Sequence, residues 1–206
     1  MEIKILQVGP IGTNCYLLCD ETTKKCAVVD PGGDGKHIIA AVERDGYQPC
    51  AIFLTHGHYD HTGGTEELQA KWPEVPVYLN RRDAMAGDSY MQQLFPVVPN
   101  AKDYDEGDTF RVGSLTVEVL STPGHSGGSV TLRCEDALLC GDTLFAGSCG
   151  RTDFPGGSMK TIMASLRRLA QLEGNLKVYP GHMEPTTLDR ERRVNPFVLQ
   201  ALGNFY

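Results

Sequence analysis

Several features are scarce in this 206-residue chain, and each scarcity excludes something. No two of its 7 cysteines stand as C-x-x-C, which sets aside a structural zinc knuckle and a dithiol redox motif. Their number is odd and their spacing irregular. Cys15, Cys19, Cys26, Cys134 and Cys140 fall in apolar, strand-like runs, where a reduced thiol behaves as a small hydrophobe. Reduced thiols imply a cytoplasmic protein, and the opening Met1-Glu2-Ile3-Lys4 lacks the apolar stretch of a signal peptide. No apolar run approaches the roughly 18 residues of a membrane span. Positive charge is short: 19 Lys and Arg stand against 26 Asp and Glu, a net charge of −7, so no nucleic-acid partner is expected. No linker or low-complexity segment divides the chain. Residues 1–206 are expected to form one domain with a substantial core; a homo-oligomer is left open.

Short β-type runs come first. Glu2–Val8, Asn14–Asp20 and Lys24–Asp30 are separated by turn chemistry at Gly9-Pro10-Ile11-Gly12 and Asp20-Glu21-Thr22. A helix is predicted from Gly35 to Asp45, a strand over Ala51–Thr55, a helix over Thr65–Lys71 and a strand over Val75–Leu79. The second half repeats the grammar, with strands at Thr109–Arg111, Leu115–Ser121, Ser129–Cys134 and Ala137–Gly141. The helix Met159–Leu172 has Ser158 as N-cap and an apolar stripe of Ile162, Met163, Leu166, Leu169 and Ala170. The strand Lys177–Tyr179 follows, then helical residues from Glu184 to the end, interrupted at Asn195-Pro196. Lys24–Lys25 read as a solvated face, and Arg190–Arg193 as a solvated face or a capping helix near the site. The fold class is α+β: two sheets face to face with helices on both outer faces would bury every apolar strand.

Histidine supplies the chemistry. Five of the 6 histidines lie in one pattern: His56-x-His58-x-Asp60-His61, then His125, then His182, with Asp142 between the last two. Each cluster follows directly on a predicted strand, so the ligands sit on a rigid scaffold and share one edge. In an extended chain alternate residues point the same way, so His56 and His58 can chelate one ion. Asp60 and His61 are adjacent and must splay, which suits a second ion. His125 would complete the first site and His182 the second, while Asp142 has two oxygens and could bridge. Each ion then keeps a position open to water, as a catalytic site requires. Two dications would offset about half of the negative charge.

Four segments, Thr55-His56-Gly57-His58-Tyr59-Asp60-His61-Thr62-Gly63-Gly64, Thr122-Pro123-Gly124-His125-Ser126, Gly141-Asp142-Thr143-Leu144-Phe145 and Pro180-Gly181-His182, carry a resemblance that covers nearly the whole chain. It resembles the metallo-β-lactamase superfamily, and within it the small glyoxalase II-like hydrolases. The resemblance implies a four-layer αββα sandwich with a dinuclear site, zinc being the expected metal and iron or manganese the alternatives: His56, His58 and His125 on one metal, Asp60, His61 and His182 on the other, Asp142 bridging. Departures narrow the choice among relatives. β-Lactamases of this fold are expected to carry an export signal, and a Cys ligand where Asp142 stands. Flavo-diiron proteins have Glu in place of His58. RNA-processing members carry an inserted nuclease domain. Typical glyoxalase II has a separate C-terminal helical domain that binds glutathione, and only Met183 to Tyr206 follow His182.

The chemistry expected is attack on a carbonyl carbon by a hydroxide that bridges the two metals, with Asp60 orienting it. With five histidines on metal, only His37 is left, on a predicted helix. No general acid is then available, and a thiolate can leave without protonation whereas an amine cannot. The substrate expected is therefore a small-molecule thioester, next a lactone or activated ester. The loop Ala146–Gly157 reads as a rim of the site. Arg151 would grip a substrate carboxylate or pair with Asp153; Phe154 and Tyr59 are further candidates for substrate contact, and Cys149 is read as a rim thiol without chemistry. Two other readings stay open: a mononuclear iron persulfide dioxygenase of the same fold, using His56, His125 and Asp142, for which Gly150-Arg151-Thr152-Asp153-Phe154 speaks, and a non-enzymatic metal-binding module.

Overall fold

The computed structural model describes residues 1–84 and 89–203. The first half builds a five-stranded sheet in the order β1-β2-β3-β4-β5. Strands β1 (Glu2–Val8), β2 (Thr13–Asp20) and β3 (Lys25–Val29) form an antiparallel meander. Helix α1 (Gly35–Arg44) returns the chain to β4 (Gln48–Leu54), parallel to β3. Helices α2 (Tyr59–Thr62) and α3 (Thr65–Lys71) lead to β5 (Val77–Leu79), parallel to β4, and α4 (Ser89–Leu94) leads out. Parallel neighbours need such crossovers because a tight turn can only reverse the chain.

The second sheet has six strands. Strands β6 (Thr109–Val112), β7 (Leu115–Ser121), β8 (Val130–Cys134) and β9 (Ala137–Gly141) run antiparallel in sequence order. A two-residue hairpin, β10 (Leu144–Phe145) and β11 (Ser148–Cys149), precedes helix α5 (Met159–Ala170). Strand β12 (Lys177–Pro180) then lies parallel to β9, and β13 (Thr186–Thr187) covers its other edge before α6 (Leu188–Val194) and α7 (Pro196–Leu202).

Three buried clusters mark the seams of four layers, as expected. Cys15, Leu17 and Cys19 of β2 face Ile38, Val42 and Leu68 of the first helical layer. The alternate residues Tyr16 and Leu18 face Val117, Val119, Leu132 and Leu139 of the second sheet. Leu138, Cys140 and Val178 face Leu166, Leu169 and Val198 of the second helical layer. Strand β2 is buried on both faces, which is why it carries no charged residue before Asp20. The cysteines expected to be buried thiols are so, and all seven are free. No helix among the described residues is long and apolar enough to cross a membrane.

The Ser158 cap holds, accepting from the Thr161 amide at 3.2 Å, and Asn195 both ends α6 and caps α7. Three expectations change. β4 starts at Gln48, because Gln48 and Pro49 pair with Lys25 and Cys26. The residues after Glu184 include β13, drawn into the sheet by Lys177 and Val178; the last of the expected helical residues, 204–206, lie outside the described ones. Arg192 is not part of a merely solvated face: its guanidinium donates to the carbonyls of Ala170, Leu172 and Gly174 and so closes the end of α5.

Candidate metal centre

The two sheets deliver their ligand-type residues to one edge. His56 follows β4 by one residue, His58 caps α2, and Asp60 and His61 lie within that helical turn. The chain is extended only as far as His58; the turn that follows splays Asp60 and His61 apart. His125 follows β7, Asp142 follows β9 and His182 follows β12. The ligand atoms of His56, His58 and His125 lie within 4.8 Å of one another, as do those of His56, His61 and Asp142, and of Asp60, His61 and His182. Three overlapping triads, with His56, His61 and Asp142 between the outer two, are the geometry of two adjacent cations.

The orientation of each ring follows from its other nitrogen. His61 Nδ1 lies 3.0 Å from Asp30 Oδ2 and His125 Nδ1 lies 2.7 Å from the Arg151 carbonyl. Both partners accept, so each ring carries its proton on Nδ1 and turns the Nε2 lone pair inward. Thr55 Oγ1 donates to Asp30 and lies 3.2 Å from His56 Nδ1, which makes it the acceptor there, with the same result. His58 Nδ1 and His125 Nε2 approach to 2.9 Å. Nε2 of His56, His58 and His61 and Oδ1 of Asp142 are buried without a hydrogen-bond partner. Orphaned buried polar atoms are costly, and those of His56, His61 and Asp142, which form one triad, fit a divalent cation. Glycine keeps that space clear: a Cβ on Gly181 would stand 2.3 Å from Asp142 Oδ1 and 2.5 Å from His61 Cε1.

Electrostatics agrees. Burial, then the neighbouring imidazoles, hold His56 well below the usual histidine range. Burial and His125 push His58 down to about 3. Both are thus neutral, the form that ligates. Burial opposes charge on His61, but Asp142 and Asp30 outweigh it and raise its pKa. Burial likewise opposes ionisation of Asp142 and Asp60, yet His61 and His182 hold both carboxyls low. The second half of the site therefore draws positive charge.

Five of the seven, His58, Asp60, His125, Asp142 and His182, floor a cleft of about 440 Å³. Ile11, Leu94, Phe145, Phe154 and Met183 give it apolar walls, and Tyr59, Arg151 and Cys149 also line it. Of the two readings of Arg151, the free structure has the pair: its guanidinium meets Asp153 in a two-pronged contact at 2.6 Å and stacks 4.0 Å over the Phe154 ring. Both side chains of the pair are more than half exposed. The rim segment begins with the β10–β11 hairpin, tied down where Gly147 N donates to the buried Glu191. Burial pushes the Cys149 thiol up to about 11. His37 is exposed on α1 and does not line the cleft.

Three residues that sequence reasoning passed over hold the site together. Asp30 bonds Thr55 and His61. Asp83, 1% exposed, accepts from Gly57 N at 2.9 Å, Ser126 Oγ at 2.6 Å and Gly128 N at 2.6 Å, joining the His56–His58 loop to the His125 loop. Asn14 bonds the turn that carries His182. The one local sign of any of them is the polar residue closing an apolar strand at Asp30.

A sequence model of the metallo-β-lactamase superfamily matches residues 8–182. The chain is 37% identical to the probable metallo-hydrolase YqgX of Bacillus subtilis (strain 168), over 96% of this chain and 98% of that one. It is 31% identical to the hydroxyacylglutathione hydrolase GloC of Haemophilus influenzae, over the same shares. Among solved structures, the B3 metallo-β-lactamase BLEG-1 superposes with a TM-score of 0.86 at 32% identity, covering 96% of this chain and 99% of that one. TTHA1623 in a di-iron-bound form superposes with a TM-score of 0.81 at 33% identity, covering 94% and 99%.

Proposed function

The chain belongs to the metallo-β-lactamase superfamily, and from its overlapping ligand triads we propose a metal-dependent hydrolase that carries two divalent ions and cleaves thioesters to an acid and a thiol, as glyoxalase II does. The observation that carries the two-ion reading is the convergence of all three triads on one floor. His56, His58 and His125 would hold one ion, Asp60, His61 and His182 the other, and Asp142 would bridge. A relative described as a hydroxyacylglutathione hydrolase and a neighbour in a di-iron-bound form support it. Zinc is the proposed metal; the di-iron neighbour keeps iron in view.

Bound ions would supply Lewis acidity and a water acidified to near neutral pH. The residues of the chain do the rest. Asp60, held ionised, keeps an acceptor aimed into the cleft, its Oδ2 3.1 Å from His182 Nε2 and 3.5 Å from Thr13 Oγ1; there it orients the attacking water. Hydrolysis forms a carbon–oxygen bond, breaks the carbon–sulfur bond and releases the thiol. Every histidine lining the cleft belongs to the ligand set, and none is free to protonate a leaving group. A thiolate leaves without that help and an amide nitrogen does not. The apolar walls suit the acyl side of the substrate. Arg151 stays available to a substrate carboxylate only if that group displaces the exposed Asp153.

The test is metal-resolved mass analysis together with matched substrates. Two ions per chain, and a thioester turned over at least a hundredfold faster than the amide of the same acyl group, are expected. Equal rates would remove the leaving-group argument. A β-lactam and a lactone belong in the panel. One iron per chain, with oxygen consumed on a persulfide, would favour the oxygenase reading that Gly150–Phe154 supports.

A further inference from the structure

His182 is held differently from His56, His61 and His125. The rings of His56, His61 and His125 are each fixed through Nδ1 by Thr55, Asp30 and the Arg151 carbonyl. Among the described residues nothing hydrogen-bonds Nδ1 of His182; its ring contacts run through Nε2 to Asp60 and Asp142. Its side chain is 23% exposed, against 3% for His125 and 0% for His61. A ligand without a partner on its far nitrogen takes its aim from its backbone.

That backbone is held from the opposite sheet. Asn14, 2% exposed on β2, donates its amide Nδ2 to the carbonyls of Pro180 at 3.0 Å and Met183 at 2.8 Å. Its main-chain N–H donates to Gly181 at 2.8 Å. Tyr16, two residues on, donates its hydroxyl to the same Pro180 carbonyl at 2.5 Å. The carbonyls on both sides of His182 thus end on one side chain. The turn needs such a brace, since Met183 sits at φ +69. An asparagine amide fits the task because it offers two donors in one plane; a carboxylate would set lone pairs against two carbonyls.

We propose that Asn14 is the positioning residue for His182, and that through it Asn14 sets the affinity of the ion held by Asp60, His61 and His182. The inference rests on the two-ion reading above. Groups that orient a ligand by hydrogen-bonding its side chain are worth about 10- to 100-fold in metal affinity, and the brace on the His182 backbone stands in for one.

The experiment is a competitive zinc titration of chelator-stripped protein, comparing wild type, Asn14→Ala, Tyr16→Phe and His182→Ala, with a melting curve for each apo form. Asn14→Ala should weaken one equivalent by about 10- to 100-fold, toward the His182→Ala limit, and leave the other within about twofold. Tyr16→Phe, which keeps both amide bonds, should act in the same direction by a few-fold. If Asn14→Ala does not fold, Tyr16→Phe alone decides. An equal effect on both equivalents, or none on either, overturns the inference. Wild-type protein that takes up fewer than two ions overturns the two-ion reading itself, a different result from two ions bound alike in wild type and variant.

Discussion

Replacing Asp83 by alanine tests how the two halves of the first ligand set are joined. The carboxylate accepts three hydrogen bonds in a place almost without solvent. Ser126 Oγ keeps a second partner, Ser129 Oγ, at 2.6 Å, so it is not orphaned. The amides of Gly57 and Gly128 are, at about 1–3 kcal/mol each. Against this stands the relief of no longer burying a carboxyl, whose pKa burial raises in spite of those bonds. The net loss should be about 3 kcal/mol for Asp83→Ala and about 1–2 kcal/mol for Asp83→Asn, whose one oxygen serves only one of the two amides. Denaturant unfolding with a chelator present measures both, free of metal linkage. The pH dependence has a definite sign. A carboxyl with a raised folded pKa contributes stability below its unfolded value, and that contribution fades as pH rises through the folded one. The gap between wild type and Asp83→Asn should therefore be widest at acid pH and narrow as pH rises toward neutral. An Asp83→Ala protein within about 1 kcal/mol of wild type would refute the reasoning.

Other perturbations reach different parts of the molecule. Gly124 sits at φ +139, and a Cβ there would lie 2.3 Å from the Ile162 amide nitrogen; Gly124→Ala should cost at least about 2 kcal/mol in unfolding experiments and shift His125, and a neutral substitution would show that α5 can move away. Asp30→Asn should weaken metal binding about 10- to 100-fold by titration, since His61 would lose the carboxylate that fixes its proton on Nδ1; unchanged affinity would mean that packing alone holds the ring. Cys149, with its thiol pushed up to about 11, should react with iodoacetamide at mildly alkaline pH about 100-fold more slowly than a free cysteine, followed by peptide mass mapping; rapid labelling would show the rim open. Removing metal with a chelator should lower the melting temperature, because two ions at about 100 times their dissociation constants stabilise by roughly 5 kcal/mol together; no shift would mean that no ion binds the folded chain.

Much of the fold was legible because its signals are local. β1, β7, β9 and α3 fall where alternation and helical spacing set them, and apolar strands that read alike on both faces implied two covering layers. The parts that were not legible are made by distance. Asn14 and its carbonyl partners stand 166 and 169 residues apart. β13 exists because an edge of β12 was free to pair, and Arg192 looks like one of a basic run until the end of α5 is brought to it.

The sequence by itself determined the kinds of ligand-type residue, their order and their station after each strand, because residue identity and strand periodicity are properties of short segments. It determined too that five of the six histidines fall in one ligand-type pattern, which is a matter of counting. Only the tertiary structure decided that the ligand atoms meet in overlapping triads, which ring nitrogen faces inward, and that Arg151 is paired with Asp153. Those depend on where two sheets and their loops come to rest, and that is settled by the packing of the three apolar seams between the layers.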